Sequence, residues 1–372
     1  MNDDDTLKKF EYFKRENEDI QNIGKPLGKG AFGVVRDIMI NKKHYAGKLI
    51  EKTKGQKSEE EKYGKILRGQ NIINIIKILS GKIGLNDYDL VIMEKASLRD
   101  LGKLNEYIHR CNLLKTLYDP FDEVLGDNLL RFYLKQIINS LELLDRNYYV
   151  HNDIKPENIL VTYNLVVKLT DFSLLRKVQN NNEAKIPGGT PGYLSPEYYL
   201  YKTVESEVAR KQDYFALGST LYFIKYGKNM LKYKKYDKEN GILNADEIVK
   251  LLEQERDYIK SGKMSDGEFI KFLCSLIEYK PEDRPSFEEI YRNIWLNDNI
   301  EQINNIFSIN QSEEEKMIME LKKSDFLIKK EKERENDNYL NLENEQKNKG
   351  NKKDTIKKKK NKLCRFRFKK KE

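Results

Sequence analysis

His151-Asn152-Asp153-Ile154-Lys155-Pro156-Glu157-Asn158 is the stretch around which this chain is arranged. Eight such residues can fall together in a polar turn by chance, and the flanks argue against that reading. Upstream, from Leu129 to Tyr149, apolar side chains recur at helical spacing (Leu130, Tyr133, Leu134, Ile137, Ile138, Leu141, Leu144), which predicts a long helix packed on a core. Downstream, Ile159-Leu160-Val161 and Val166-Val167-Lys168-Leu169 read as two short strands around a Tyr163-Asn164 turn, the second delivering Asp171-Phe172-Ser173. The octet is thus expected to be a loop held between a helix and a hairpin.

With those flanks, the octet resembles the catalytic loop of the protein kinases, H-R-D-x-x-x-x-N, and Asp171-Phe172-Ser173 resembles their D-F-G. The resemblance implies that Asp153 accepts the proton of the attacking hydroxyl, that Lys155 neutralises the transferred phosphoryl group, and that Asn158 and Asp171 hold magnesium. Leu27-Gly28-Lys29-Gly30-Ala31-Phe32-Gly33-Val34-Val35 is similar to the family's glycine-rich loop. Gly28, Gly30 and Gly33 would let backbone close over the phosphates, with Leu27 and Val35 against the nucleotide. Twenty residues after Gly28 stands Lys48, in Tyr45-Ala46-Gly47-Lys48, which matches the V-A-I-K strand except at its third residue. The resemblance makes Lys48 the clamp on the α- and β-phosphates and Ala46 part of the adenine ceiling.

The family pairs that lysine with a helical glutamate, but Tyr63 stands in its place in Tyr63-Gly64-Lys65-Ile66-Leu67. Glu60, seven residues before Leu67 and about two turns away on the same helical side, is the candidate, with Glu59 and Glu61 as competitors within one charge run. Leu90 to Ala96 resembles the last small-lobe strand and the hinge, which would set Met93 at the back of the nucleotide pocket and Glu94 to Ala96 along the adenine edge; Leu160 is carried over as a pocket residue from the large lobe. Gly188 to Glu197 looks like G-T-x-x-Y-x-A-P-E with Ser195 for alanine, placing Thr190 beside the catalytic aspartate. Asp213 resembles the aspartate that braces the catalytic loop, and Arg284 the arginine that pairs with Glu197.

The chain is 372 residues long with a formal charge of +9. From 350 to 372 there are ten Lys and two Arg against Asp354 and Glu372, so the body is near neutral and the basic signal belongs to the tail. Cys111, Cys274 and Cys364 are too scattered for a disulfide framework or a C-x-x-C metal pair, which predicts a reducing compartment and no disulfide partners. No run approaches 18 apolar residues, and Asn2-Asp3-Asp4-Asp5 does not open a signal peptide. The expectation is an intracellular, cytoplasmic protein, with nuclear or peripheral-membrane placement open. Basic residues around Leu363, Phe366 and Phe368 suit an anionic membrane surface, at up to about 1 kcal/mol each, or a nucleic acid.

The organisation expected is a surface extension over 1–19, an α+β two-lobed kinase domain over 20–297 (β-rich small lobe 20–95, mainly helical large lobe 96–297), a charged helical extension over 298–340, and a basic, disordered tail over 341–372. Within the domain, Gly102 to Gly126 is a charged connection, Phe269 to Glu278 and Phe287 to Leu296 are helices, and Trp295 is a core anchor. The function implied is transfer of the γ-phosphoryl group of ATP, with Mg²⁺, to a protein hydroxyl. Lys155 with Thr190 resembles the serine/threonine class. Between Ser173 and Thr190 there is no Ser, Thr or Tyr, and Asn152 replaces the arginine of H-R-D, so activation-loop phosphorylation is not expected to be needed. Asn152, Ser173 and the displaced glutamate leave a pseudokinase, a nucleotide-binding scaffold, as the alternative.

Overall fold

Two-residue periodicity organises the first third of the chain. In β3 (Lys43–Lys52), Tyr45, Gly47 and Leu49 point to one face and Ala46 and Lys48 to the other; in β5 (Asn86–Glu94), Tyr88, Leu90 and Ile92 oppose Asp89, Val91 and Met93. These two strands pair with each other and with β1 (Ile20–Gly30), β2 (Gly33–Ile40) and β4 (Ile75–Ile83) in an antiparallel sheet of order β1-β2-β3-β5-β4. The computed structural model describes residues 3–298 except 31–32, 54–56, 65, 97–99, 105–122, 163–164, 179–181, 228, 231–244 and 262–266. All of these belong to one compact unit, 1–315. The expected charged extension and basic tail lie outside the described residues, as does most of the 102–126 connection.

One face of the sheet is covered by α1 (Asp3–Arg15), which corrects the expectation of a surface extension. Phe10 and Phe13 are 0% and 1% exposed and join Ile20, Ile38, Leu49, Tyr88, Leu90 and Ile92 in a single core. Asp3 holds the buried Arg36 at 2.8 Å, and Arg36 also donates to the Gly24 carbonyl at 2.9 Å. A Cβ on Gly81 would lie 2.8 Å from the Tyr12 ring and 3.1 Å from the Phe13 ring, so β4 meets the helix at bare backbone. The physical reason lies in the strands. Leu90-Val91-Ile92-Met93 is apolar on both faces, and a sheet apolar on both faces needs two covers. Gly47 has a related cause: a Cβ there would press on the Ile38 side chain, which fills the space over this strand.

The second face looks toward α2 (Glu59–Tyr63) and the helical part of the molecule. That part contains α3 (Glu123–Arg146), α4 (Pro196–Leu200), α5 (Ser206–Tyr226), α6 (Ala245–Ser261), α7 (Gly267–Leu276), α8 (Phe287–Tyr291) and α9 (Ile294–Asn297). Three short antiparallel ladders complete it: β6 (Tyr149–Val150) with β9 (Arg176–Lys177), β7 (Ile159–Val161) with β8 (Val167–Leu169), and β10 (Glu183–Lys185) with β11 (Thr203–Glu205). The architecture is two-lobed α+β.

The periodic stripe on α3 is buried throughout, from Leu130 to Leu144. Trp295 is buried against Phe269 and Phe272. The single helix expected over 287–296 is instead two, because the Asn293 side chain accepts from the Leu296 amide and starts α9 afresh. No helix among the described residues is long and apolar enough to cross a membrane.

Candidate active site

Lys48 leaves β3 on the face opposite α1 and enters a buried cluster of charges. Its Nζ lies 2.7 Å from Glu60 Oε1 and 2.8 Å from Asp171 Oδ1. Burial alone would push Lys48 down, but the two carboxylates outweigh it and raise the ammonium above its ordinary range. Burial would likewise raise Asp171, and the Lys48 charge with hydrogen bonds from Lys48 and Ser173 holds it below the usual carboxylate range. Ser173 donates to Asp171 Oδ1 at 2.7 Å. The serine that departs from the family pattern therefore positions the neighbouring carboxylate.

Of the three competing glutamates only Glu60 reaches Lys48: Glu59 pairs with Lys62 and Glu61 with Lys57 on the surface. The expected route was different. α2 is one turn long and stops at Gly64, so Leu67 is not on it and the two-turn spacing does not apply. Glu60 gets its direction from the start of the helix, where Ser58 accepts from the Glu61 amide. Tyr63, in the family glutamate's place, packs edge-on against Tyr149 with ring centroids 5.0 Å apart, tying α2 to the strand that enters the catalytic loop.

That loop is hung from α5. Asp213 accepts the His151 amide at 2.7 Å and the Asn152 amide at 2.9 Å. Burial raises this carboxyl to about 7, against the opposing pull of those two amides. His151 is held neutral by burial, with Nε2 at 3.0 Å from the Thr170 carbonyl and Nδ1 at 3.3 Å from the Asp153 amide; the Nε2–H tautomer satisfies both. Around Asp153 three donors converge. Lys155 Nζ and Asn158 Nδ2 reach Oδ2 at 2.7 and 2.8 Å, and the Thr190 hydroxyl donates to Oδ1 at 2.6 Å. Lys155 also donates to Thr190 Oγ1 at 2.6 Å. The Thr170 amide donates to the Asn158 carbonyl at 3.0 Å, which joins this group to the strand end carrying Asp171.

Oxygen donors suit a hard divalent cation. Asn158 spends its amide nitrogen on Asp153, leaving the side-chain carbonyl to offer, and Asp171 offers a carboxylate held ionised by Lys48. Magnesium fits this pair.

The residues carried over as the nucleotide wall sit in register across the sheet. Val35 pairs with both Gly28 and Lys48, and Ala46 with Met93. Leu27 and Gly30 are on β1 and Gly33 opens β2. Leu160 joins them from β7 through a bridge to Asp100, just beyond the hinge. Ala96 follows β5. The Glu94 side chain is engaged away from any ligand, accepting from the Asn74 amide at 2.6 Å and pairing with Lys168 at 2.8 Å, so only its backbone is offered. Deeper in the large lobe Arg284 grips Glu197 with two bonds of 2.6 and 2.7 Å, both side chains buried.

Sequence reasoning missed the work of Asn152 and Tyr198. The Tyr198 hydroxyl donates to Asn152 Oδ1 at 2.6 Å, and burial followed by the Asp213 and Glu197 charges keeps that hydroxyl protonated. Asn152 was visible as a departure from the family pattern; nothing marked Tyr198.

The family model described as "Protein kinase domain" matches residues 21–296. Among curated relatives, "Hormonally up-regulated neu tumor-associated kinase homolog A" of Xenopus laevis is 28% identical over 314 residues, covering 79% of this chain and 40% of that protein. "Serine/threonine-protein kinase ATG1" of Debaryomyces hansenii is 25% identical, over 73% of this chain and 34% of that protein. "Aurora kinase" of Saccharomyces cerevisiae is 28% identical, over 78% and 72%. The first two relatives are thus matched over well under half their length, within a family that uses ATP, generally with Mg²⁺. A family match across about three quarters of its length, in a two-lobed fold with these motifs in order, makes this chain a member of the protein kinase family.

Proposed function

We propose that the chain is an ATP-dependent protein serine/threonine kinase that works without phosphorylation of its activation segment. The observation that carries this reading is the convergence of Lys155, Asn158 and Thr190 on the carboxylate of Asp153, beside the Lys48–Glu60–Asp171 cluster. Asp153 orients the acceptor hydroxyl. As its oxygen bonds to the γ-phosphorus, the bond to the β–γ bridging oxygen breaks, ADP leaves, and the hydroxyl proton passes to Asp153. Lys155 faces the charge that develops on the transferred group, and Lys48, aligned by Glu60, holds the α- and β-phosphates. Asp171 and Asn158 would hold magnesium, which would supply neutralisation of the phosphate charge.

Thr190 touching both Asp153 and Lys155, together with names such as "Serine/threonine-protein kinase 17A" among the relatives, supports the serine/threonine class. The scaffold alternative drew on the displaced glutamate, and Glu60 at 2.7 Å from Lys48 favours the catalytic reading over it.

The test is to incubate the full chain with labelled ATP, Mg²⁺ and a generic protein acceptor and to identify the labelled amino acid. Label on serine or threonine supports the reading. No transfer, or label on tyrosine, overturns it. Phosphatase treatment, with mass spectrometry confirming an unmodified segment over 171–197, should leave the initial rate unchanged.

A further inference from the structure

Asn152 stands at φ +67°, in the left-handed region that asparagine tolerates better than arginine does, and its side chain is 2% exposed. The amide is used at both ends. Nδ2 donates to the Val150 carbonyl at 3.1 Å and the Leu174 carbonyl at 3.0 Å, while Oδ1 accepts from Tyr198 at 2.6 Å. Two carbonyls on one side and a hydroxyl on the other fix the amide's orientation. Three segments therefore meet on one neutral side chain: the start of the catalytic loop, the turn after Asp171, and α4, which closes the activation segment.

The same residue also meets the substrate-docking strip, since a Cβ on Gly189 would lie 2.8 Å from the Asn152 carbonyl oxygen. The middle of the segment is held independently by backbone. β10 pairs with β11, the Ile186 amide donates to Lys202, and Asn182 accepts both the amide and the hydroxyl of Ser206.

We propose that Asn152 and Tyr198 form a positioning pair: their hydrogen bond registers α4 against the catalytic loop and so presets the docking strip, Thr190 to Leu194, for a protein acceptor. The inference rests on the kinase reading above and names the residues that regulate that site. The joint is neutral, so it needs no phosphate as counter-ion and is little affected by salt. Its effect falls on the acceptor side of the reaction. Lys48, Glu60 and Asp171 are held by bonds of their own, and the Tyr198–Asn152 hydrogen bond is not among them.

The experiment compares full-length wild type with Tyr198→Phe, Asn152→Ala and the double variant. Tyr198→Phe removes one oxygen and keeps the ring. Loss of one buried hydrogen bond should lower kcat/KM for the protein acceptor about tenfold while KM for ATP stays within about twofold. The double variant should be no worse than the more damaging single, since both remove the same contact. Hydrogen–deuterium exchange over 186–201 should quicken in Tyr198→Phe, and this readout needs no turnover, so it separates failure of the pair from failure of the kinase reading. Unchanged exchange with unchanged kcat/KM would overturn the proposal, as would an equal loss toward ATP and acceptor.

Discussion

Replacing Phe10 or Phe13 by alanine tests whether the first fifteen residues are part of the small lobe. Both rings are fully buried, and each packs into the core shared with Ile38, Leu49, Leu90 and Ile92. Removing a buried phenylalanine costs about 3–5 kcal/mol, from lost burial plus the cavity left behind. A native domain has only about 5–15 kcal/mol in all, so either change should take a large share. At about 2–4 °C per kcal/mol the thermal midpoint should fall by roughly 10 °C. The assay is thermal unfolding of full-length variants followed by circular dichroism, with Leu85→Ala as the control because that side chain is 90% exposed. The control should shift stability by less than about 0.5 kcal/mol. Gly81→Ala approaches the same interface from the strand, forcing a methyl against the Tyr12 and Phe13 rings, and should cost about 1–3 kcal/mol. If Phe10→Ala and Phe13→Ala both melted within a degree of wild type, α1 would not be a cover of the sheet, and the reasoning would fail.

Arg284→Ala leaves Glu197 buried without its partner and should destabilise by about 3–5 kcal/mol, read by urea unfolding; Arg284→Lys should not restore it, since one ammonium cannot make two parallel bonds. Lys48→Met should abolish phosphoryl transfer in the labelled-ATP assay while far-ultraviolet dichroism stays that of wild type; near-normal turnover would remove Lys48 from the site. Asp213 gives a pH dependence with a definite sign. Its folded pKa, about 7, lies above the unfolded value of about 3.9, so its contribution to stability is fully present below about pH 4 and is lost as pH rises through 7. Asp213→Asn should flatten that part of a stability-against-pH curve measured by chemical unfolding, and a curve unchanged in shape would assign the dependence elsewhere.

The large-lobe helices and the site were legible because their signals are local or motif-like. The stripe from Leu130 to Leu144 needs only helical period, and Asp153, Lys155, Asn158 and Asp171 keep the spacing of the family motifs they resemble. Glu60 was legible as a residue but not by the reason given, since its approach to Lys48 comes from a capped single turn rather than from helical spacing. α1 was hidden because its apolar residues, Phe10 and Phe13 with Leu7 and Tyr12 beside them, stand in a short segment that is otherwise largely charged. The readable clue lay some eighty residues on, in the two-sided apolar run Leu90 to Met93. Tyr198 was hidden for a different reason: a hydroxyl's partner 46 residues away depends on tertiary structure alone.

The brevity of α2 governs how the Lys48–Glu60 contact can be broken. A helix of several turns can swing as a lever and carry its glutamate away intact; five residues have no such stiffness and owe their shape to the Ser58 cap and the Tyr63–Tyr149 contact. Separation of Lys48 from Glu60 is therefore expected as an opening of that one turn rather than a rotation of a rigid helix. An opening that gains entropy is favoured increasingly as temperature rises, so the Lys48–Glu60 contact should loosen on heating ahead of the packed core.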